Sequence, residues 1–150
     1  MTGALLLMGV PAFSAPEISE FMADNRRSTI DDDDDRSDWI EIHNPDGSPA
    51  NLSGWFLTDD PGHKLKWRFP AVTISARGYI VVFASGKNRT NPNAPLHTDF
   101  RLNKEGGYLA LLDKSSNVVS QFPPPSPPQH EDVSFGKGNS KQDQVTLLKQ

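Results

Sequence analysis

The 150 residues contain no cysteine. This excludes disulfides, thiolate zinc sites and a cysteine nucleophile, and with them the small disulfide-stapled scaffold of many secreted domains. Positive charge is scarce. Fifteen Lys and Arg against 19 Asp and Glu give a net charge of -4 and a pI near 5.5. Binding to nucleic acid draws its affinity from Lys and Arg displacing counterions from phosphates, so nucleic acid is not an expected partner. No apolar run approaches the ~20 residues of a spanning helix, so no membrane span is expected in the mature chain. Helical periodicity is missing as well. Apolar residues nowhere recur at i, i+3, i+4, i+7 over successive turns, and 13 prolines and 11 glycines interrupt the segments that could carry such a pattern.

What is present is a series of short apolar or alternating runs. Residues 18–22, 39–43, 55–58, 65–69, 79–84, 108–112 and 118–122 are rich in Ile, Val, Trp, Tyr and Phe, and turn residues such as Asn44-Pro45-Asp46-Gly47 and Lys104-Glu105-Gly106-Gly107 separate them. Alternation assigns faces: Ile40 and Ile42 share one side of their strand, Glu41 and His43 the other. Strands of this number and length, with tryptophans among them, predict an all-β, immunoglobulin-like β-sandwich, with a small closed barrel as the competing architecture. Within it Trp55 is expected to fill the core behind Gly54. Residues 79–83 suit a strand buried on both faces or at the sandwich centre, and Gly47 is free to take a positive φ in a hairpin-type turn.

At the start, the run from Ala4 to Val10 followed by Pro11-Ala12-Phe13-Ser14-Ala15 reads as the core and cleavage region of a signal peptide, although Met1-Thr2-Gly3 carries no positive charge. The competing reading is a first core strand. Residues 1–14 are thus assigned to a signal peptide or its remnant, and 15–136 to the sandwich. Residues 137–150 are assigned to a polar tail or to the start of a following segment, in which residues 145–148 look like a strand. The proline-rich run 122–129 suits an extended edge or crossover. Export to the cell surface or the medium follows as the expected localisation, and the chain reads as part of a longer protein.

Several strings in order resemble the lamin tail domain, in the form found in exported bacterial proteins. They are Pro16-Glu17-Ile18-Ser19-Glu20-Phe21, Ser37-Asp38-Trp39-Ile40-Glu41-Ile42-His43-Asn44, Leu52-Ser53-Gly54-Trp55-Phe56-Leu57-Thr58-Asp59, Lys66-Trp67-Arg68-Phe69-Pro70, residues 74–86 and residues 131–136. The resemblance implies an immunoglobulin-like, non-catalytic binding or structural module that accompanies other domains of a parent chain. It does not imply filament assembly, since the heptad rod, the basic targeting cluster and the prenylation signal of nuclear lamins have no counterpart here.

The most unusual local feature is the run Asp31 to Asp35. Adjacent carboxylates repel one another, so they are expected either in a solvated loop or around a cation, for which calcium is the natural candidate. Asp31, Asp33 and Asp35 fall at ligand positions of an EF-hand template. Arg36 stands where its glycine belongs, however, and Ile42 where its bidentate Glu belongs, so the template fails. A looser calcium loop on Asp31, Asp33 and Asp35, extended by Asp59 and Asp60, remains open. Otherwise no cofactor is expected.

His43, His63, His97 and His130 lack metal-ligand spacing and read as exposed. Ser85 lacks the Gly-x-Ser-x-Gly context of a nucleophile, and Lys87 lacks a phosphate loop. The chain therefore reads as a non-enzyme that binds a protein, a cell-surface component or neighbouring domains. Two alternatives are a small exported hydrolase using the acidic loop, with or without calcium, and a nucleic-acid-binding module with a basic face around Arg26, Arg27, Lys64, Lys66 and Arg68.

Overall fold

A computed structural model describes residues 12–122, 128–137 and 145–149. The apolar run at 4–10 and the prolines within 123–127 lie outside the described residues. The regular elements described are all strands: β1 (Glu17–Met22), β2 (Asp38–His43), β3 (Ala50–Asn51), β4 (Phe56–Thr58), β5 (Trp67–Arg68), β6 (Thr73–Ile74), β7 (Tyr79–Ala84), β8 (Leu96–His97), β9 (Leu109–Leu112), β10 (Val118–Phe122), β11 (Val133–Lys137) and β12 (Val145–Lys149). They form a six-stranded sheet in the order β12-β11-β1-β2-β7-β8, a four-stranded sheet β10-β9-β4-β5 and a pair β3-β6. Pairing is antiparallel except between β7 and β8. Within residues 137–150, Val145–Lys149 pairs along β11. The all-β, immunoglobulin-like architecture is the one expected from the strand pattern.

The two larger sheets bury one core between them. Ile18, Phe21, Ile40, Ile42, Val82 and Ala84 come from the first sheet, and Leu57, Trp67, Leu109, Leu111 and Phe122 from the second. Phe21 meets Phe122 edge-on at 5.1 Å and Phe135 at 5.6 Å. Strict alternation would put Ile18 and Phe21 on opposite faces, because they are an odd number of residues apart. A register shift between Ile18 and Glu20 turns both inward. The Ile18 amide beside this shift donates to Ser120 Oγ at 3.0 Å, so it remains satisfied in the interior.

Three expectations need correction. Trp55 is only partly buried at the core edge, and the fully enclosed tryptophans are Trp39 and Trp67. The first half of β7 is open on one face, with Tyr79 59 % exposed and Val81 40 %. Gly47 does not have a positive φ; the turn after β2 is shaped by Asn44 instead.

Asn44 is completely buried. Its Nδ2 donates to the carbonyls of Ser48 (2.8 Å), Ile74 (3.3 Å) and Ser75 (3.1 Å), and its Oδ1 accepts from the Asp46 amide at 3.1 Å. One carboxamide thus joins the end of β2 to the end of β6. Asn44→Ala should cost about 2–4 kcal/mol in denaturant unfolding, because carbonyls are left buried without a donor. Asn44→Asp should cost at least as much, since a carboxylate there faces carbonyl oxygens. An Asp variant as stable as the wild type would show that Asn44 only fills space.

Candidate functional site

The loop between β1 and β2 carries the acidic run. Asp34 has φ 63°, a left-handed turn that Asp tolerates better than most residues, and the Asp31 amide donates to the Asp35 carbonyl at 2.9 Å. Asp31 is the centre of the loop. Its side chain has no exposed surface. Its Oδ1 accepts from the Asp33 and Asp35 amides (2.9 and 3.0 Å), and its Oδ2 accepts from Ser37 Oγ and Lys87 Nζ, both at 2.7 Å. Carboxylates in such a run were expected to stay in water unless a cation joined them; here the chain supplies the cations from the segment after β7. Lys87 Nζ lies 2.7, 2.8 and 2.9 Å from Asp31, Asp33 and Asp35. Arg89 reaches Asp32 at 3.1 Å and Asp33 at 2.7 Å.

Electrostatics follow the geometry. Burial opposes ionisation of Asp31, but the hydrogen bonds from Lys87, Ser37 and the two amides outweigh it and hold the carboxyl well below the usual range. The Arg89 and Lys87 hydrogen bonds bring Asp33 to about 2. Burial lowers Lys87, yet its three carboxylate partners more than reverse this and raise it. Asp38, at the foot of β2, behaves oppositely. Burial pushes it up to about 6 against the hydrogen bonds it accepts from the Asn25 and Leu102 amides.

The three residues named as calcium ligands therefore do converge. One carboxylate oxygen each from Asp31, Asp33 and Asp35 lies within 4.8 Å of the others, and Asp31, Asp32 and His97 form a second such group. The point the first three surround holds the Lys87 ammonium. Asp59 and Asp60 do not join them: Asp59 binds Lys66 at 2.6 Å, and Asp60 accepts from the Gly62 amide.

His97 was expected to be exposed and is fully buried. Its Nε2 lies 2.6 Å from Asp32 and its Nδ1 2.8 Å from Ser85 Oγ, the residue types of a Ser-His-Asp relay but with the two ring nitrogens exchanged. The amides that would form an oxyanion hole are committed, Gly86 N to the Phe100 carbonyl and Lys87 N to Ser85 Oγ. The imidazole is enclosed, and this chain of bonds ties the loop between β1 and β2 to Ser85 and β8. It fastens it beside a second apolar cluster, Met22, Trp39 and Phe83, on the face of the six-stranded sheet turned away from the main core. Met22, Trp39, Phe83 and His97 form one row across four strands. Sequence reasoning missed Lys87, Arg89 and His97.

The candidate basic face is largely neutralised. Arg26 pairs with Asp24 and Glu131, Arg27 with Glu131, and Lys66 with Asp59 while lying over the Phe100 ring at 5.3 Å.

A profile of the Lamin Tail Domain family matches residues 10–125. The chain belongs to the lamin tail domain family. That family is an immunoglobulin-like, non-enzymatic domain that acts as an interaction module, in agreement with the two packed sheets. No curated protein matches this lamin tail domain.

The pH dependence of stability tests the charge arrangement. Asp31 and Asp33 have folded values below the unfolded value near 4, so their contribution is present above pH ~4 and is lost as pH falls through the folded values. Asp38 has a raised folded value, so stability drawn from its protonated form is full below pH ~4 and is lost as pH rises toward about 6. Melting temperature should fall steeply below pH ~4 in the wild type and less steeply in Asp31→Asn. The decline between pH ~4 and 6 should disappear in Asp38→Asn. An acid limb unchanged by Asp31→Asn would contradict the buried ion pair.

Proposed function

We propose that this lamin tail domain is an exported docking module of a larger bacterial protein, holding a protein partner through the open half of the outer face of its six-stranded sheet. The observation that carries this reading is the contrast along that face. At the end near the acidic loop, the row from Met22 to His97 is enclosed. At the other end, the rows Glu17-His43-Tyr79 and Glu20-Glu41-Val81 face solvent to varying degrees. Tyr79 stacks on His43 with ring centroids 4.3 Å apart and planes 17° from parallel, which fixes an exposed aromatic platform. Ser19 Oγ donates to Glu41 at 2.6 Å and steadies one of the neighbouring carboxylates. A rigid aromatic and aliphatic surface ringed by carboxylates suits a partner that presents apolar side chains among Lys and Arg. The same charge disfavours nucleic acid.

Export rests on the apolar run at 4–10 and the small residues Ala12 and Ser14 after it. A hydrolase using the acidic loop has no support in the geometry, because Asp31, Asp33 and Asp35 are all bonded to Lys87. The purified chain should turn over no glycosidase, phosphoesterase or esterase substrate and should retain a protein from cell-envelope material. Tyr79→Ser with Val81→Ser should keep the melting temperature within a few degrees and weaken that retention about tenfold or more. Retention unaffected by the double substitution removes the proposed face, and turnover of a substrate removes the non-catalytic reading.

A further inference from the structure

We infer that the partner held by the Tyr79 face is a second copy of this chain, which presents the outer face of its four-stranded sheet, so that copies join head to tail. The inference rests on the docking face proposed above and names its occupant. Pairing registers define the second face. Leu57, Trp67 and Leu111 share one cross-strand row and belong to the core. The neighbouring row, Arg68-Phe56-Leu112-Val118, crosses all four strands and therefore lies on the opposite, outward side. Leu112 is buried and Phe56 half-buried in that row, while Val118 and Arg68 are exposed.

This second face is basic. A Cβ at Gly54 would lie 3.3 Å from Arg68 Nη2 and 3.8 Å from Lys114 Cβ, so the glycine lets both cationic side chains gather over bare backbone. Among the described residues neither Arg68 nor Lys114 forms an ion pair, and the nearby carboxylate of Asp113 accepts from the Ser115 and Asn117 amides. The Tyr79 face is the complement. Glu20 stands directly opposite Glu41, a like-charge pairing that costs stability until a cation reaches it, and Glu17 adds a carboxylate in the row of His43 and Tyr79. One side of the Tyr79 ring is covered by His43 and the residue is otherwise exposed. A guanidinium suits that position, because it stacks on an aromatic ring and forks to neighbouring carboxylates. Arg68 of one copy thus stacks on Tyr79 of the next, and Phe56 and Val118 cover Val81. The two faces lie on opposite sides of one sandwich, so a single molecule cannot join them, and every copy added presents a fresh face. The contact is small, which makes the association weak in dilute solution.

Sedimentation equilibrium of the full chain, from micromolar to millimolar concentration, tests this. The wild type should gain mass steadily with concentration, and less so in high sodium chloride. Arg68→Glu should stay monomeric, as should Tyr79→Ser with Val81→Ser. Mixing the two variants joins the intact acidic face of the first to the intact basic face of the second, so the mixture should form dimers and stop there. Lys114→Glu should weaken association in the same direction, and it replaces Arg68→Glu in the mixture if that variant does not fold. A wild type that is monomeric throughout, growth indifferent to both Arg68→Glu and Lys114→Glu, or a mixture that forms no dimers would each overturn the inference. The docking face is judged separately. A monomeric wild type whose retention of an envelope protein is still lost in Tyr79→Ser with Val81→Ser keeps that face and removes only its assignment to a second copy.

Discussion

Burying the Asp31 carboxylate is the constraint from which the arrangement at one end of this sandwich follows. A carboxylate taken out of water is costly unless a counter-charge and hydrogen bonds replace its hydration. Four donors surround this one, and one of them is a lysine 56 residues away. Holding Lys87 in place fixes the chain just after β7, which brings Arg89 to Asp32 and Asp33 and sets His97 between Asp32 and Ser85. The loop between β1 and β2 is thereby fastened beside the row Met22, Trp39, Phe83 and His97. Apolar side chains on that row, which on a two-layer sandwich would point to solvent, are buried as a second cluster.

The same sheet face thus has two characters. Its closed half is held by charge and serves stability. Its open half carries the Tyr79 and His43 stack among carboxylates, and is the half to which docking is assigned in the proposal above. An immunoglobulin-like sandwich supports many roles, so the fold by itself does not choose among them. The choice here rests on the exposed platform of Tyr79, His43 and Val81.

Most of the fold was legible because strand signals are local. Runs at 18–22, 39–43, 79–84 and 118–122 nearly coincide with β1, β2, β7 and β10. What escaped were two-residue strands such as β3, β6 and β8, too short to show alternation, and the bulge that turns both Ile18 and Phe21 inward. The exposed start of β7 was misjudged because an unbroken apolar run carries no periodicity from which to tell one buried face from two. At the site, Asp31, Asp33 and Asp35 were legible as a cation-seeking set from their charge alone. Their partner was not, because Lys87 is brought to them by the pairing of β2 with β7 and nothing in Gly86-Lys87-Asn88-Arg89 announces a distant carboxylate. His97 was misplaced for a related reason: a lone histidine gives no sign of burial until the strand beside it, here β7, is known.

The central claim is that a buried, chain-supplied ion pair closes the acidic loop, and a double-mutant cycle on Asp31→Asn and Lys87→Met measures it most directly. Exposed ion pairs couple by about 0.2–1 kcal/mol. A buried, hydrogen-bonded pair should couple by more, roughly 2 kcal/mol or above, with each single substitution costing nearly as much as the two together. A coupling energy below about 0.5 kcal/mol, with additive single effects, would show that Asp31 and Lys87 act independently and that something else holds the loop.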